Sequence, residues 1–267
     1  MDVPQTPAPR ETFNRVADLY DRNRPGYPPE VFDDVARIAA IEPGSRLLEI
    51  GCGTGHATLP FAQRGCQIDC IELGENMAAI ARRRLATFPR VSITVTDFDS
   101  FATPNRYHLI YAATAYHWLN PQTRVARLAQ LLEPDGWLAV WRNHHARTSG
   151  ASSDFYAAAQ DIYDREAPAL AAKFCGLLTP DRIPQPEADE WHASGLFSAV
   201  HTRTYLWSRD YSAEQYVQML ETHSDHQLLS EETRATLFNQ LTQLAEDFGG
   251  VVTREYVTIL HIARKHA

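Results

Sequence analysis

Leu47-Leu48-Glu49-Ile50-Gly51-Cys52-Gly53-Thr54-Gly55-His56-Ala57-Thr58 is the stretch that decides the fold. Residues 47–50 form a short apolar run interrupted by one carboxylate, which reads as a buried strand. Three glycines at alternate positions follow, and glycine reaches positive φ and lets a ligand approach the backbone closely. From residue 57 the pattern turns helical, with Leu59, Phe61 and Ala62 inward. Strand, glycine turn and helix open a nucleotide-binding βαβ unit, where the helix offers unpaired N–H groups and a positive dipole end. The spacing is Gly51-x-Gly53-x-Gly55 rather than G-x-G-x-x-G, although Ala57 keeps a loose dinucleotide fingerprint open. Two carboxylates narrow the choice. Glu49 sits inside the strand just before the first glycine. Glu72 ends the next predicted strand, residues 67–72, about 20 residues on, where a ribose diol needs an acceptor.

The chain has 267 residues, 44% of them hydrophobic, enough for one large domain or two small ones with a sizeable core. Its formal net charge is −8, and the most basic run, Arg82-Arg83-Arg84, falls on a predicted helix as a solvated face. That balance argues against nucleic acid as a partner. Cys52, Cys66, Cys70 and Cys175 make neither a C-x-x-C pair nor a zinc spacing, so neither a metal nor a disulfide framework is expected. Residues 1–10 are polar and proline-rich, which is no signal peptide. No apolar run is long enough to span a membrane. A reduced, cytoplasmic setting and no membrane partner follow as expectations, while the sequence sets no oligomeric state.

Along the chain, Phe13, Val16, Ala17 and Tyr20 recur at helical spacing, and Pro28 or Pro29 suits the start of a second helix carrying Val31, Phe32, Val35 and Ile38 inward. Helices are predicted over 58–64, 75–88 and 122–132, and strands over 67–72, 91–95, 107–112 and 137–141, with Pro134-Asp135-Gly136 as a closing turn. Repeated βα units in a row argue for a parallel doubly wound sheet. Beyond it, residues 153–175, 212–220 and 231–248 read as helices, 179–187 as a proline-rich loop, and 200–207 and 255–263 as strands. With no linker or repeat, a single domain over 1–267 is expected: cover helices in 1–40, a core over 45–145, and cap helices with the last strands over 150–267.

Residues 48–55, Leu-Glu-Ile-Gly-Cys-Gly-Thr-Gly, resemble the first motif of the class I methyltransferases that use S-adenosylmethionine. Phe13-Asn14-Arg15-Val16-Ala17-Asp18-Leu19-Tyr20 and Arg24-Pro25-Gly26-Tyr27-Pro28 are similar, less specifically, to the small-molecule branch of the trans-aconitate methyltransferases. The resemblance covers residues 13–141. It implies an α/β, Rossmann-like, doubly wound and mostly parallel seven-stranded sheet, its last strand inserted antiparallel, with an N-terminal helical cover and a C-terminal helical cap. It further implies that Gly51, Gly53 and Gly55 cradle the cofactor's tail and ribose, that Glu49 meets the methionyl ammonium through water, and that Glu72 accepts from both ribose hydroxyls. Leu73 would lie against adenine, Asp97 would accept its exocyclic amine, and Phe98 would flank the ring; a turn aspartate is the plain alternative for Asp97. Arg24 would pair the cofactor carboxylate or else stand as a surface arginine.

Acceptor residues are sought after the fourth strand, in Tyr116-His117-Trp118, because open α/β sheets bind ligands beyond the strand carboxyl ends. The Asn/Asp-Pro-Pro-aromatic tetrapeptide of amine-directed relatives is absent there. His117 is the candidate catalytic residue, as hydrogen-bond donor or base near neutral pH. Tyr116 and Trp118 either wall the acceptor slot or pack under the sheet, and Tyr20, Tyr27 and His223 are further acceptor-side candidates. His144-His145 has no third ligand at readable spacing. Methyl transfer to a small molecule at an oxygen, carboxylate or hydroxyl, is the expected activity. A catalytically weak sensor or partner protein that binds S-adenosylmethionine and an NAD-dependent oxidoreductase are the alternatives.

Overall fold

The computed structural model describes residues 14, 16–145, 150, 152–174 and 179–266; Phe13 and Cys175 lie outside them. Seven strands form one sheet: β1 (Arg46–Ile50), β2 (Gln67–Glu72), β3 (Val91–Val95), β4 (Tyr107–Ala113), β5 (Leu132–His145), β6 (His201–Ser212) and β7 (Val251–Arg264). Their order is β3-β2-β1-β4-β5-β7-β6. The first five pair in parallel and the last strands run antiparallel. The strand order reverses between β1 and β4, so the switch point of this sheet lies at their carboxyl ends.

By contacts the chain divides into two units. One, the sheet unit, comprises Gly26–His144, Pro184–Tyr205 and the chain from Thr258; the other, the helical unit, comprises the chain up to Pro25, His145–Ile183 and Leu206–Val257. In the sheet unit, successive β1 residues alternate between two cores, as the pleat requires. Leu47 joins Phe61, Tyr111 and Trp141 on one face, while Leu48 and Ile50 join Ile110, Leu138 and Trp191 on the other. Both faces are covered, which is why β1 and β4 read as nearly continuous apolar runs. The helices of this unit are α2 (Pro29–Ile38), α3 (Thr58–Gln63), α4 (Glu75–Arg84), α5 (Arg124–Leu131) and α8 (Pro186–Ser194). Tyr111 stacks on Trp141 at 5.5 Å between ring centres, and Phe61 and Phe32 close the cluster from α3 and α2.

In the helical unit, α1 (Ala17–Asn23), α6 (Ser153–Glu166), α7 (Pro168–Phe174), α9 (Ala213–Glu221), α10 (Ser224–Gln227) and α11 (Glu231–Asp247) enclose a third core of Phe155, Tyr163, Tyr216, Leu237 and Leu241. Ser212 caps α9 through a reciprocal box with Gln215, and Ser230 caps α11 through the Thr233 N–H. The helix expected over 153–175 breaks at Ala167-Pro168, where proline cannot donate to the preceding turn.

Three other expectations change. The turn Pro134-Asp135-Gly136 lies within β5, where Asp135 adopts φ +61° and the pairing register shifts between Tyr107 and Leu109; it is a bulge rather than a strand start. The proline-rich segment after residue 179 contains α8, with Pro186 in its first turn and Gly195 capping its end at φ +66°. The two expected cover helices also part company: α1 belongs to the helical unit, and α2 buries Val31, Phe32 and Val35 in the sheet unit.

Candidate functional site

The glycine turn follows β1 at the switch point. Gly51, Gly53 and Gly55 all adopt left-handed conformations, at φ +67°, +56° and +85°. A Cβ on Gly51 would stand 2.6 Å from the Ala115 Cβ, so this position admits glycine only. The Gly51 and Cys52 N–H groups both donate to the Ile71 carbonyl, and Gly55 donates to Cys52, which fixes the turn against β2. Glu72 holds the same turn from the other side. One of its carboxylate oxygens accepts from the Gly53 N–H at 2.8 Å and the other from the Gly74 N–H at 2.9 Å. Burial raises its pKa, against the lowering effect of those N–H groups.

Glu49 is 1% exposed. Its Oε2 accepts from the Thr58 hydroxyl at 2.6 Å, the Tyr111 hydroxyl at 2.8 Å and the Cys70 thiol. Its Oε1 is sealed from solvent and has no partner. Burial raises its pKa from 4.5 to about 7, partly offset by the Thr58 and Tyr111 hydrogen bonds. A buried carboxylate oxygen left open beside a glycine cradle fits a ligand that brings its own cation or donor.

After β3, the Asp97 side chain accepts from the Asp99 N–H and caps a short 3₁₀ turn. Phe98 is 4% exposed and packs in the second core beneath the Arg127 guanidinium, 5.1 Å from its ring centre. Leu73, after β2, is 37% exposed and is one of the few large apolar side chains left open to solvent.

After β4, Thr114 adopts φ +57°, a strained conformation for a β-branched residue, and its hydroxyl meets the Tyr27 hydroxyl at 2.9 Å. Tyr116 is 1% exposed. Its hydroxyl donates to Glu190 at 2.7 Å and accepts from the Trp191 indole at 2.9 Å, while Arg124 lies over its ring and forks onto Glu190. Tyr116 is therefore a packing residue, the second of the two roles weighed for it, because no face of its ring is left for an acceptor. Glu190 and Trp191 lie on α8, which the sequence did not reveal. His117 and Trp118 remain half-buried, their rings 4.5 Å apart. Burial, then Arg142, Arg124 and His144, lowers the His117 pKa to about 4. His144, at the end of β5, is lowered to about 4 by burial and by Arg142. Both rings are neutral at pH 7, so His117 can donate or accept one hydrogen bond but is a weak base.

Three candidates fall in the helical unit. Arg24 lies over the Tyr20 ring at 5.2 Å, donates to the Thr222 carbonyl and stands 3.5 Å from His223 Nε2. Burial, then Arg24 and Arg254, holds His223 neutral. His223, Asp225 and His226 bring donor atoms within 4.8 Å of one another. However, Tyr163 and Asp225 already occupy the two His226 nitrogens, and a guanidinium faces His223, so the set is poorly arranged for a cation.

Residues 47–136 match the family model described as a methyltransferase domain. That segment is about a third of the chain, and over it the chain is similar to the methyltransferase-domain family. The chain is 30% identical over 138 residues to an uncharacterized methyltransferase of Mycobacterium tuberculosis (strain H37Rv), covering 51% of this chain and 54% of that protein. It is 28% identical over 204 residues to the malonyl-[acyl-carrier protein] O-methyltransferase of Halalkalibacterium halodurans, covering 70% of each. The chain spans about half the length of the first curated relatives it matches. Among solved structures, a Haemonchus contortus phosphoethanolamine N-methyltransferase 2 bound to S-adenosylhomocysteine superposes with a TM-score of 0.57 at 16% identity, covering 99% of this chain and 62% of that one. The [4+2]-cyclase SpnF superposes with a TM-score of 0.55 at 20% identity, covering 99% and 98%. At these identities the neighbours share the fold of this chain. Among the described residues, no helix is long and apolar enough to cross a membrane.

Proposed function

We propose that the chain is an S-adenosylmethionine-dependent methyltransferase that acts on a small-molecule acceptor at an oxygen, a carboxylate before a hydroxyl, as one methyltransferase domain in a cytoplasmic setting. The carrying observation is the left-handed glycine turn clasped by Glu72, with the unpartnered Glu49 Oε1 buried beside it. S-adenosylmethionine supplies, when bound, a methyl group already activated by a sulfonium. Glu49 Oε1 accepts from the methionyl ammonium, directly or through water. The second lone pairs of Glu72 accept from the ribose hydroxyls while its N–H contacts keep the turn in shape. Asp97 and Leu73 serve the adenine.

The protein's remaining work is to hold an acceptor oxygen in line with the methyl group and to exclude water. His117, neutral and weakly basic, orients that oxygen, with Trp118 beside it and Tyr27, bonded to Thr114, as candidate acceptor contacts. A carboxylate is already a nucleophile at pH 7 and needs no base, whereas a hydroxyl needs one nearer neutrality than about 4. The O-methyltransferase relative agrees with an oxygen acceptor. Fold likeness to a cyclase keeps open the second reading, a binder of the cofactor without methyl transfer. Methyl transfer from labelled S-adenosylmethionine to a panel of small carboxylic acids, phenols and amines tests the proposal. Base-labile methyl esters are expected; transfer to amines alone would sink the oxygen assignment, and no transfer to any acceptor would favour the second reading.

A further inference from the structure

Arg254, on β7 in the helical unit, is 5% exposed. Its Nε and Nη1 are sealed from solvent and have no acceptor. No carboxylate among the described residues forms an ion pair with it. Arginine does not shed its proton at any ordinary pH, so this is a permanent buried charge with donors to spare. Such a charge is strongly unfavourable unless something compensates it. The compensation present is aromatic. The guanidinium stands 5.6 Å from the Tyr256 ring centre, a cation–π contact that satisfies none of its N–H groups.

The surroundings are built around that charge rather than against it. The Tyr216 hydroxyl beside Arg254 is buried and without an aligned partner of its own. Tyr211 and Tyr256 bond each other through their hydroxyls at 2.8 Å, and Tyr156 donates to the Thr253 carbonyl. Trp207 stacks on Tyr256, and the His145 ring leans on Tyr156 at 5.1 Å. The potential is positive: Arg24 and Arg254 both act on His223, which burial already keeps neutral. Asp225 bonds the His226 ring, and Glu255, next to Arg254 along the strand, belongs by alternation to the opposite face.

We propose that Arg254 and the Tyr216 hydroxyl form a buried oxyanion site, walled by Tyr156, Tyr256 and Trp207, that binds the carboxylate or phosphate group of a small aromatic or planar acid. A planar oxyanion accepts a forked pair of N–H bonds from the guanidinium, and the ring walls take the apolar body. The site lies wholly within the helical unit. It goes beyond the methyltransferase reading and stands or falls separately, because binding is measured without S-adenosylmethionine.

The test is calorimetric titration of the full chain, without S-adenosylmethionine, with benzoate, phenyl phosphate, inorganic phosphate and, as a neutral control, benzamide. Saturable binding of at least one anion and none of benzamide is expected. Benzoate binding alone names a carboxylate ligand, and phenyl phosphate or phosphate binding names a phosphate. Arg254→Met weakens that binding tenfold or more and abolishes the anion-induced rise in melting temperature, while the ligand-free variant melts no lower than the native chain. If Arg254→Met does not fold, Arg254→Lys keeps the charge but loses the fork, and a severalfold weaker anion is expected. Absence of saturable binding by every anion, or unchanged affinity in the folded variant, overturns the proposal.

Discussion

Replacing Glu49 by glutamine should stabilise the ligand-free protein at alkaline pH while impairing cofactor binding. In the folded chain this carboxyl titrates at about 7, against an ordinary 4.5, because burial penalises the charged form. Between those values the folded protein keeps a proton that the unfolded chain has lost. Native stability therefore falls as pH rises from 4.5 through 7, and the full deficit is present above 7. At about 1.4 kcal/mol per pH unit, that gap leaves the native protein about 3 kcal/mol worse off at pH 8 and about 1 kcal/mol worse off at pH 5. Glutamine carries no charge to desolvate and keeps an oxygen for Thr58 and Tyr111. The stability difference between variant and native chain should thus move in the variant's favour by about 2.5 kcal/mol from pH 5 to pH 8, or about 5–10 °C in melting temperature for a chain of this size. Comparing the two proteins at each pH cancels the contributions of His117, His144 and His223. Thermal melts at the two pH values are the assay. Parallel behaviour of the two proteins between pH 5 and 8 would refute the buried, high-pKa carboxyl. Loss of S-adenosylmethionine affinity in the same variant, by tenfold or more, is the functional counterpart.

Three further outcomes are expected. Gly51→Ala, with φ +67° and a Cβ 2.6 Å from that of Ala115, should cost about 2 kcal/mol in stability and abolish cofactor binding, measured by denaturation and calorimetry. His117→Gln should retain turnover of a carboxylate acceptor within about tenfold of native, and native kcat/KM should show no inflection near 6.5 from His117, because burial holds the ring neutral down to about 4; a fall of kcat/KM centred near 6.5 that His117→Gln removes would contradict this. Glu190→Ala should destabilise by about 2 kcal/mol, since it strands the half-buried Arg124 and the Tyr116 hydroxyl, yet leave the cofactor dissociation constant within threefold.

The sheet was legible in the sequence because its first strands are short apolar runs bounded by glycine and proline. Strand β2 and the starts of α3 and α4 fall at the residues expected. The glycine turn was legible for a related reason: it is local, and its positive φ values are written in the residue type itself. What escaped is long-range. Helix α8 exposes most of its surface and buries a single large residue, Trp191, so periodicity gave no signal; only Pro186, the acidic first turn and Gly195 marked it. The Tyr116–Glu190–Trp191–Arg124 network depends on that helix and was invisible with it. Strand β7 is buried along nearly its whole length, Val252 through Ala263, so alternation understated it. Arg24 carries no mark in the sequence that it would meet His223, 199 residues away.

The central claim is that the glycine turn with Glu49 and Glu72 holds S-adenosylmethionine. Calorimetric titration of the full chain with S-adenosylmethionine, S-adenosylhomocysteine and NADH tests it most directly. Saturable binding of the first two, lost in Glu72→Ala, is the predicted result. Binding of NADH alone would contradict it and turn the search toward a hydride acceptor.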